Sequence, residues 1–227
     1  MNILAIDTAT EACSAALHTS SIDAHLFEVC PQQHSQKILP MIDELLTSHS
    51  LSLQQIELLA FGRGPGSFTG VRIATGIIQG LSYGTGLKVA AISTLQTMAQ
   101  EVFSRTAADN VSVMIDARMQ EVYYCHYRNE QGLAVATMDE GVADPEVASE
   151  ALANARASFK QPFYAGTGWQ AYQLVYDNNA LPVTLPNAQY MTALASKLHQ
   201  QGDLVDAHEV TPSYVRDTVT WKKLPGR

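Results

Sequence analysis

Two aspartates stand where a strand would end, Asp7 in NILAIDTAT and Asp116 in VSVMID, and a turn follows each. A carboxylate in such a place can hold a hydrated magnesium ion, and the turn beyond it can face a phosphate. Asp7-Thr8 is equally compatible with an ordinary Asx turn that ends the strand, and the same holds at Asp116. Between them lies Gly64-Pro65-Gly66-Ser67-Phe68-Thr69-Gly70, whose glycines reach backbone conformations closed to other residues. At the entrance to a helix its amides are suited to cradle an anion, and a tight strand-to-helix turn fits the same residues. No Gly-Lys-Ser/Thr follows, so it is not a Walker A loop, and the spacing is not that of a dinucleotide fingerprint. Gly166-Thr167-Gly168 reads either as an ordinary turn or as the remnant of a second cleft loop.

Other chemistries lack their groups. His18, His25, His34, His49, His126, His199 and His208 include no pair at HxxxH or HExxH spacing. Ser67 is not in a GxSxG elbow and has no evident His or Asp partner. Cys13, Cys30 and Cys125 are scattered with no CxxC pair, so buried free thiols in a reducing cytoplasm are expected. We therefore expect no catalytic residue and no metal site.

The elements that must position these groups follow from composition and periodicity. Of 227 residues, 46% are hydrophobic and 16% charged, against roughly 25% charged in typical soluble domains. That excludes disorder and leaves room for an apolar face that needs a partner. No run approaches about 18 uninterrupted apolar residues, so no membrane span is expected. The opening MNILAIDTAT lacks a basic stretch and is not expected to act as a secretory signal. A net charge of −8 disfavours unaided grip on a nucleic-acid backbone.

Short apolar runs at 2–8, 12–18 and 23–30 predict three antiparallel strands. A helix is predicted over 35–48, with a late start or kink at Pro40. A strand over 56–62, a helix over 69–83, a strand over 88–92 and a helix over 94–103 then imply parallel pairing with crossovers. The plan restarts with strands at 111–116, 121–128 and 132–138, helices at 145–158 and 187–200, and a strand and glycine loop in QPFYAGTG. This order predicts an α/β fold of two duplicated subdomains, 1–104 and 105–227, each a mixed sheet flanked by helices. The last segment is a candidate to pack back on the first subdomain, and Trp221–Arg227 reads as a mildly basic mobile tail.

Within helix 69–83, Arg72, Gly76 and Gly80 fall four apart on one stripe, continued by Gly84, with Ile73, Ile77 and Leu81 beside it. Helix-interior glycines cost about 0.5–1 kcal/mol each relative to alanine, a cost that makes sense where another backbone comes close. That backbone is either the chain's own sheet or a partner's helix. Helix 35–48 offers more than one apolar face, so Ile38, Leu39, Ile42 and Leu45 are counted with Arg72, Ile73, Gly76, Ile77 and Gly80 as a candidate partner surface.

GPGSFTGVRIATG resembles the signature segment of the TsaB (YeaZ) family, companions of the TsaD/Gcp/Kae proteins that form threonylcarbamoyladenosine in tRNA. ILAIDTAT, HSQKILPMIDELL, IDARMQEVYY and VTPSYVRD resemble TsaB segments in the same order across nearly the whole chain. The resemblance implies the ASKHA fold of actin, Hsp70 and sugar kinases, which is RNase H-like. It implies helices 35–48 and 69–83 as the surface for self-association and for docking catalytic TsaD, with the ATPase TsaE joining that pair. ATP and metal would then sit on the partner subunits, tRNA would be met only through the complex, and no membrane would be involved. TsaD carries an HxxxH metal pair, whereas Val89–Met98 here has no histidine. Asp7, Thr8, Gly64, Gly66, Ser67, Thr69 and Gly70 would be a vestigial nucleotide or anion loop. The alternatives are an ASKHA-type ATP-dependent phosphotransferase using Asp7 and Asp116, and a peptidase acting on its own homologue.

Overall fold

The computed structural model describes residues 1–159, 161, 163–174 and 183–216; the tail expected at Trp221–Arg227 lies outside them. The chain begins with strands β1 (Ile3–Asp7), β2 (Ala12–His18) and β3 (Asp23–Val29), then helix α1 (His34–Ser48). Strand β4 (Leu58–Gly64), helix α2 (Phe68–Thr85), strand β5 (Val89–Ser93) and helix α3 (Thr94–Arg105) follow. The second half contains β6 (Asn110–Asp116), β7 (Val122–Glu130), β8 (Leu133–Ala136), β9 (Gly141–Ala143) and α4 (Pro145–Ala155). It ends with β10 (Tyr164–Ala165), the short helix α5 (Gly168–Ala171) and α6 (Met191–Gln201).

The first sheet has the order β3-β2-β1-β4-β5, antiparallel across β1, β2 and β3 and parallel from β1 through β4 to β5. In the second, β6 pairs antiparallel with β7 and parallel with β10, while β7 also carries β8 and β9. Two mixed sheets flanked by helices make this the α/β architecture expected from the sequence.

All of β1 is buried, because a central strand alternates its side chains between two covered faces. Leu4 and Ile6 join Leu59 and Phe61 under α1 and α2. Ile3 and Ala5 join Leu58, Ala60, Ala90 and Ile92 under Ala188, Met191, Leu194 and Ala195. The last helix, α6, is thus part of the first sheet's core. Helix α3, which sequence order places in the first half, makes the reciprocal crossing. Its Leu95, Met98, Ala99 and Val102 pack on Val111, Val113, Ile115, Cys125 and Tyr127 of the second sheet.

Three sequence expectations change. Helix α1 starts at His34 and runs unbroken through Pro40. Proline forgoes one bond, to the carbonyl of Gln36, and both residues are exposed, so water can satisfy that carbonyl. Ile38, Ile42 and Leu45 are not partner surface: they are 0%, 5% and 3% exposed, packed with Met41 and Leu46 toward β2 and β3. Of the apolar residues counted on α1, Leu39, 51% exposed, remains outside. Finally, β9 and α5 were not anticipated, both being too short to show a periodicity.

The division of α1 into an inner and an outer face is measurable by urea unfolding. Ile38→Ala should lower stability by about 2–5 kcal/mol, and Leu39→Ala should stay within about 0.5 kcal/mol. Equal losses would mean that the helix presents a different face to the sheet.

Candidate functional site

The glycine loop closes on the turn between β1 and β2. The Ser67 amide donates to the Ala9 carbonyl at 2.6 Å, and the Thr8 hydroxyl donates to the Gly70 carbonyl at 2.7 Å. A Cβ at Gly66 would stand 2.2 Å from the Ala9 oxygen, and one at Gly70 2.1 Å from the Thr8 oxygen. These contacts are possible for glycine alone. Asp7, Thr8, Gly64, Gly66, Ser67, Thr69 and Gly70 are therefore brought together, but protein backbone fills the space next to Gly66 and Gly70. The amide of Ser67 is spent on Ala9, and its side-chain oxygen caps α2 by accepting from the Gly70 amide at 3.3 Å. The geometry fits the close-packed strand-to-helix turn, one of the two readings that the residues allow.

Asp7 is sealed rather than presented. Its carboxyl is 1% exposed, with one oxygen accepting from the Ala9 amide at 2.8 Å and the other buried without a partner. Gly62 lies against it: a Cβ there would come 1.8 Å from its Oδ2. Burial pushes its pKa up to about 7, opposed by the Ala9 hydrogen bond. His126 is the inverse case. Buried between Thr137 and Asn110, it is pushed down to about 4 by burial first and by the Arg156 charge second.

Asp116 is occupied differently. It accepts from the Arg118 amide at 2.9 Å, from the Arg118 guanidinium at 3.1 Å and from the Tyr172 hydroxyl at 3.2 Å. The same guanidinium reaches Glu11, beyond β1, at 2.8 Å, so a side chain bridges the two sheets at their strand ends. Arg118, Met119 and Gln120 have φ of 63°, 56° and 62°, three successive left-handed residues without a glycine. Such residues cost roughly 1–2 kcal/mol each, more than an ion pair between exposed groups returns at about 0–1 kcal/mol. The turn needs further support, and Arg216 supplies it by donating to the Ala117 carbonyl at 3.3 Å and to the Glu121 carboxylate. Gly166-Thr167-Gly168 is a packing turn. A Cβ at Gly166 would lie 2.1 Å from the Met114 oxygen, and the Thr167 hydroxyl accepts from the Asp116 amide at 3.2 Å.

The outer face of α2 is open. Among the described residues, a Cβ added at Gly76, Gly80 or Gly84 would meet nothing within 4 Å, so the first sheet is not the reason for these glycines. Ile73, Ile77 and Leu81 are half-buried along one side of the lane, and Tyr83 is 88% exposed at its far end. At the near end the Arg72 guanidinium lies 3.3 Å from the centroid of the Phe68 ring and 5.0 Å from that of Tyr214. It donates to the Phe68 carbonyl at 2.8 Å and has no carboxylate within 4.0 Å among the described residues. Cation and aromatic groups together, partly exposed, are the composition of interface hot spots. Phe68, Tyr83 and Tyr214 were missed from sequence. VTPSYVRD was visible as a motif, but nothing local places its tyrosine against a helix that precedes it by well over a hundred residues.

Comparison with known proteins is consistent across the chain. The family profile described as "TsaD: tRNA N6-adenosine threonylcarbamoyltransferase" matches residues 27–223. The Escherichia coli protein named "tRNA threonylcarbamoyladenosine biosynthesis protein TsaB" is 44% identical over 234 residues, spanning 100% of both chains. A protein of the same name from Haemophilus influenzae is 44% identical over 237 residues, spanning 100% of this chain and 98% of its own. The solved structure "YeaZ from Pseudomonas aeruginosa" has a TM-score of 0.84 at 37% identity, covering 94% of this chain and 99% of that one. A second structure, an uncharacterized protein "with similarity to peptidase YEAZ from Pseudomonas aeruginosa", has a TM-score of 0.85 at 38% identity, covering 95% and 99%.

The buried carboxyl has a signature in pH. With its folded pKa raised from 3.8 to about 7, Asp7 contributes stability that is full below pH 3.8 and is lost as pH rises through about 7. His126, lowered from 6.5 to about 4, contributes stability that is full above pH 6.5 and is lost as pH falls through about 4. The two slopes oppose each other. Asp7→Asn should therefore steepen the gain in stability between about pH 4 and 6.5 and leave the variant no less stable than the parent at pH 8. Urea midpoints across that range decide it, and an unchanged profile would mean that Asp7 is not held protonated.

Proposed function

The chain belongs to the TsaB family, and from that premise we propose that it takes part in tRNA threonylcarbamoyladenosine biosynthesis as a non-catalytic scaffold. In this reading it docks the catalytic subunit TsaD and stabilises that subunit's active arrangement. The threonylcarbamoyl group is then transferred to the adenosine next to the anticodon of ANN-decoding tRNAs by the partner. The ATPase TsaE joins the pair, ATP and metal belong to the partner subunits, and tRNA is met only through the complex. In isolation the same face pairs with a second copy of the chain. The free, buried thiols fit a cytoplasmic setting.

The open glycine lane on α2 carries this reading. Gly76, Gly80 and Gly84 weaken the helix, and among the described residues no contact offsets the cost. A helix of a partner can lie close along such a lane, with Ile73, Ile77 and Leu81 beside it and Arg72 and Tyr83 at its ends. The residues proposed for docking are thus Leu39, Arg72, Ile73, Gly76, Ile77 and Gly80, joined by Phe68, Tyr83 and Tyr214. The phosphotransferase alternative is disfavoured by a sealed Asp7 and an Asp116 already held by Arg118 and Tyr172. The peptidase alternative is disfavoured by a Ser67 hydroxyl that caps a helix.

Replacing Gly76 and Gly80 together with Leu should leave the fold intact, since a Cβ at either position meets nothing within 4 Å among the described residues. It should abolish co-purification with TsaD and self-association by size exclusion. If both survive unchanged, the docking face is wrong. Calorimetry of the isolated chain with Mg-ATP should give no binding heat; tight binding with turnover would reinstate the phosphotransferase.

A further inference from the structure

We propose that residues 210–216 form a strap that couples the outer face of α2 to the strained 117–121 turn of the second sheet. The strap is anchored at both ends and touches the α2 face between them. Val210, 1% exposed, lies in the first sheet's core, and its carbonyl accepts from the side-chain amide of Gln79 on α2 at 2.9 Å. The Ser213 amide donates to the Arg63 carbonyl of β4 at 2.7 Å. The Ser213 oxygen runs close over Gly64, where a Cβ would stand 3.2 Å away and φ is +100°. Tyr214 then faces Arg72. Arg216, its side chain 18% exposed, reaches the Ala117 carbonyl, the Glu121 carboxylate and, at 3.9 Å, the Met119 sulfur.

The turn it grips has the properties of an element held by its surroundings. Three left-handed residues persist in it, and its bonds within itself are Ala117 amide to Glu121 carbonyl at 2.9 Å and Glu121 amide to Arg118 carbonyl at 3.1 Å. Strained backbone of this kind stays in place only while neighbours over-determine it. Arg216 is one such neighbour, and Arg118 on Glu11 is the other across the sheets. Because Tyr214 is two residues from Arg216 with no regular structure between them, whatever seats on Arg72 displaces the ring and loads the Arg216 contacts. The link runs from the Arg72–Tyr214 contact through the two covalent steps of backbone to Arg216 and its contacts with Ala117 and Glu121. It rests on the docking reading only for what presses on Arg72; the coupling itself belongs to the free chain.

Hydrogen–deuterium exchange on the intact chain without any partner tests it. Arg216→Ala should raise exchange of the 117–121 amides by about tenfold, and Tyr214→Ala should raise the same amides by about threefold although its ring lies against α2. Helix α4 should exchange as in the parent, reporting that the second sheet is intact. Should Tyr214→Ala loosen the whole chain, Arg72→Ala replaces it, removing the ring's cationic neighbour from an exposed site, with the same result expected at 117–121. Parent-like exchange at 117–121 in Tyr214→Ala, or in Arg72→Ala where that stands in, overturns the coupling, as does parent-like exchange there in Arg216→Ala. A failure of the Gly76/Gly80 experiment would remove the docking reading and leave this one standing.

Discussion

Backbone-to-backbone approach between the β1–β2 turn and the β4–α2 turn is the constraint on which the rest of the structure depends. Gly62 makes room for the Asp7 carboxyl, Gly66 for the Ala9 carbonyl and Gly70 for the Thr8 carbonyl. Any side chain at these positions would push β4 and α2 away from β1, and the parallel pairing of β1 with β4 sits directly beneath. With the two turns locked, α2 leaves the sheet at a set angle. Its Val71, Ala74 and Ile78 point inward, and its glycine lane points to solvent.

That same closeness consumes the groups that sequence marks as chemical. The Asp7 carboxyl is enclosed and its pKa rises to about 7, the Ser67 amide and hydroxyl serve the turn and the helix cap, and Asp116 is tied to Arg118 and Tyr172. What remains on the outside is of another kind. Arg72 between Phe68 and Tyr214, Tyr83 and a lane of bare helix backbone are suited to binding a surface rather than to breaking a bond.

The two halves are joined by more than sequence continuity. Helix α3 packs on the second sheet and α6 on the first, so neither sheet has a complete core without a helix from beyond it. Charged contacts then span the strand ends: Arg118 with Glu11 and Arg63 with Glu140 at 3.6 Å. Exposed pairs of this sort add little stability. Their effect is geometric, since each fixes a loop whose backbone would otherwise relax.

Much of this was legible in the residues. Short apolar runs located β2 at the observed Ala12–His18 and placed β1, β5 and β6 to within a residue or two. The four-residue spacing put Gly76, Gly80 and Gly84 on one stripe, because both signals are set by neighbours a few positions away. Direction was not legible. Periodicity says that Ile38 and Leu39 lie on adjacent flanks of α1, but only the position of β2 and β3 decides that the first is core and the second surface. The enclosure of Asp7 depends on the space left at Gly62, and the ring beside Arg72 comes from Tyr214. Such contacts join residues far apart in the chain, and their energy exists only once the sheets have formed, so no local pattern records them.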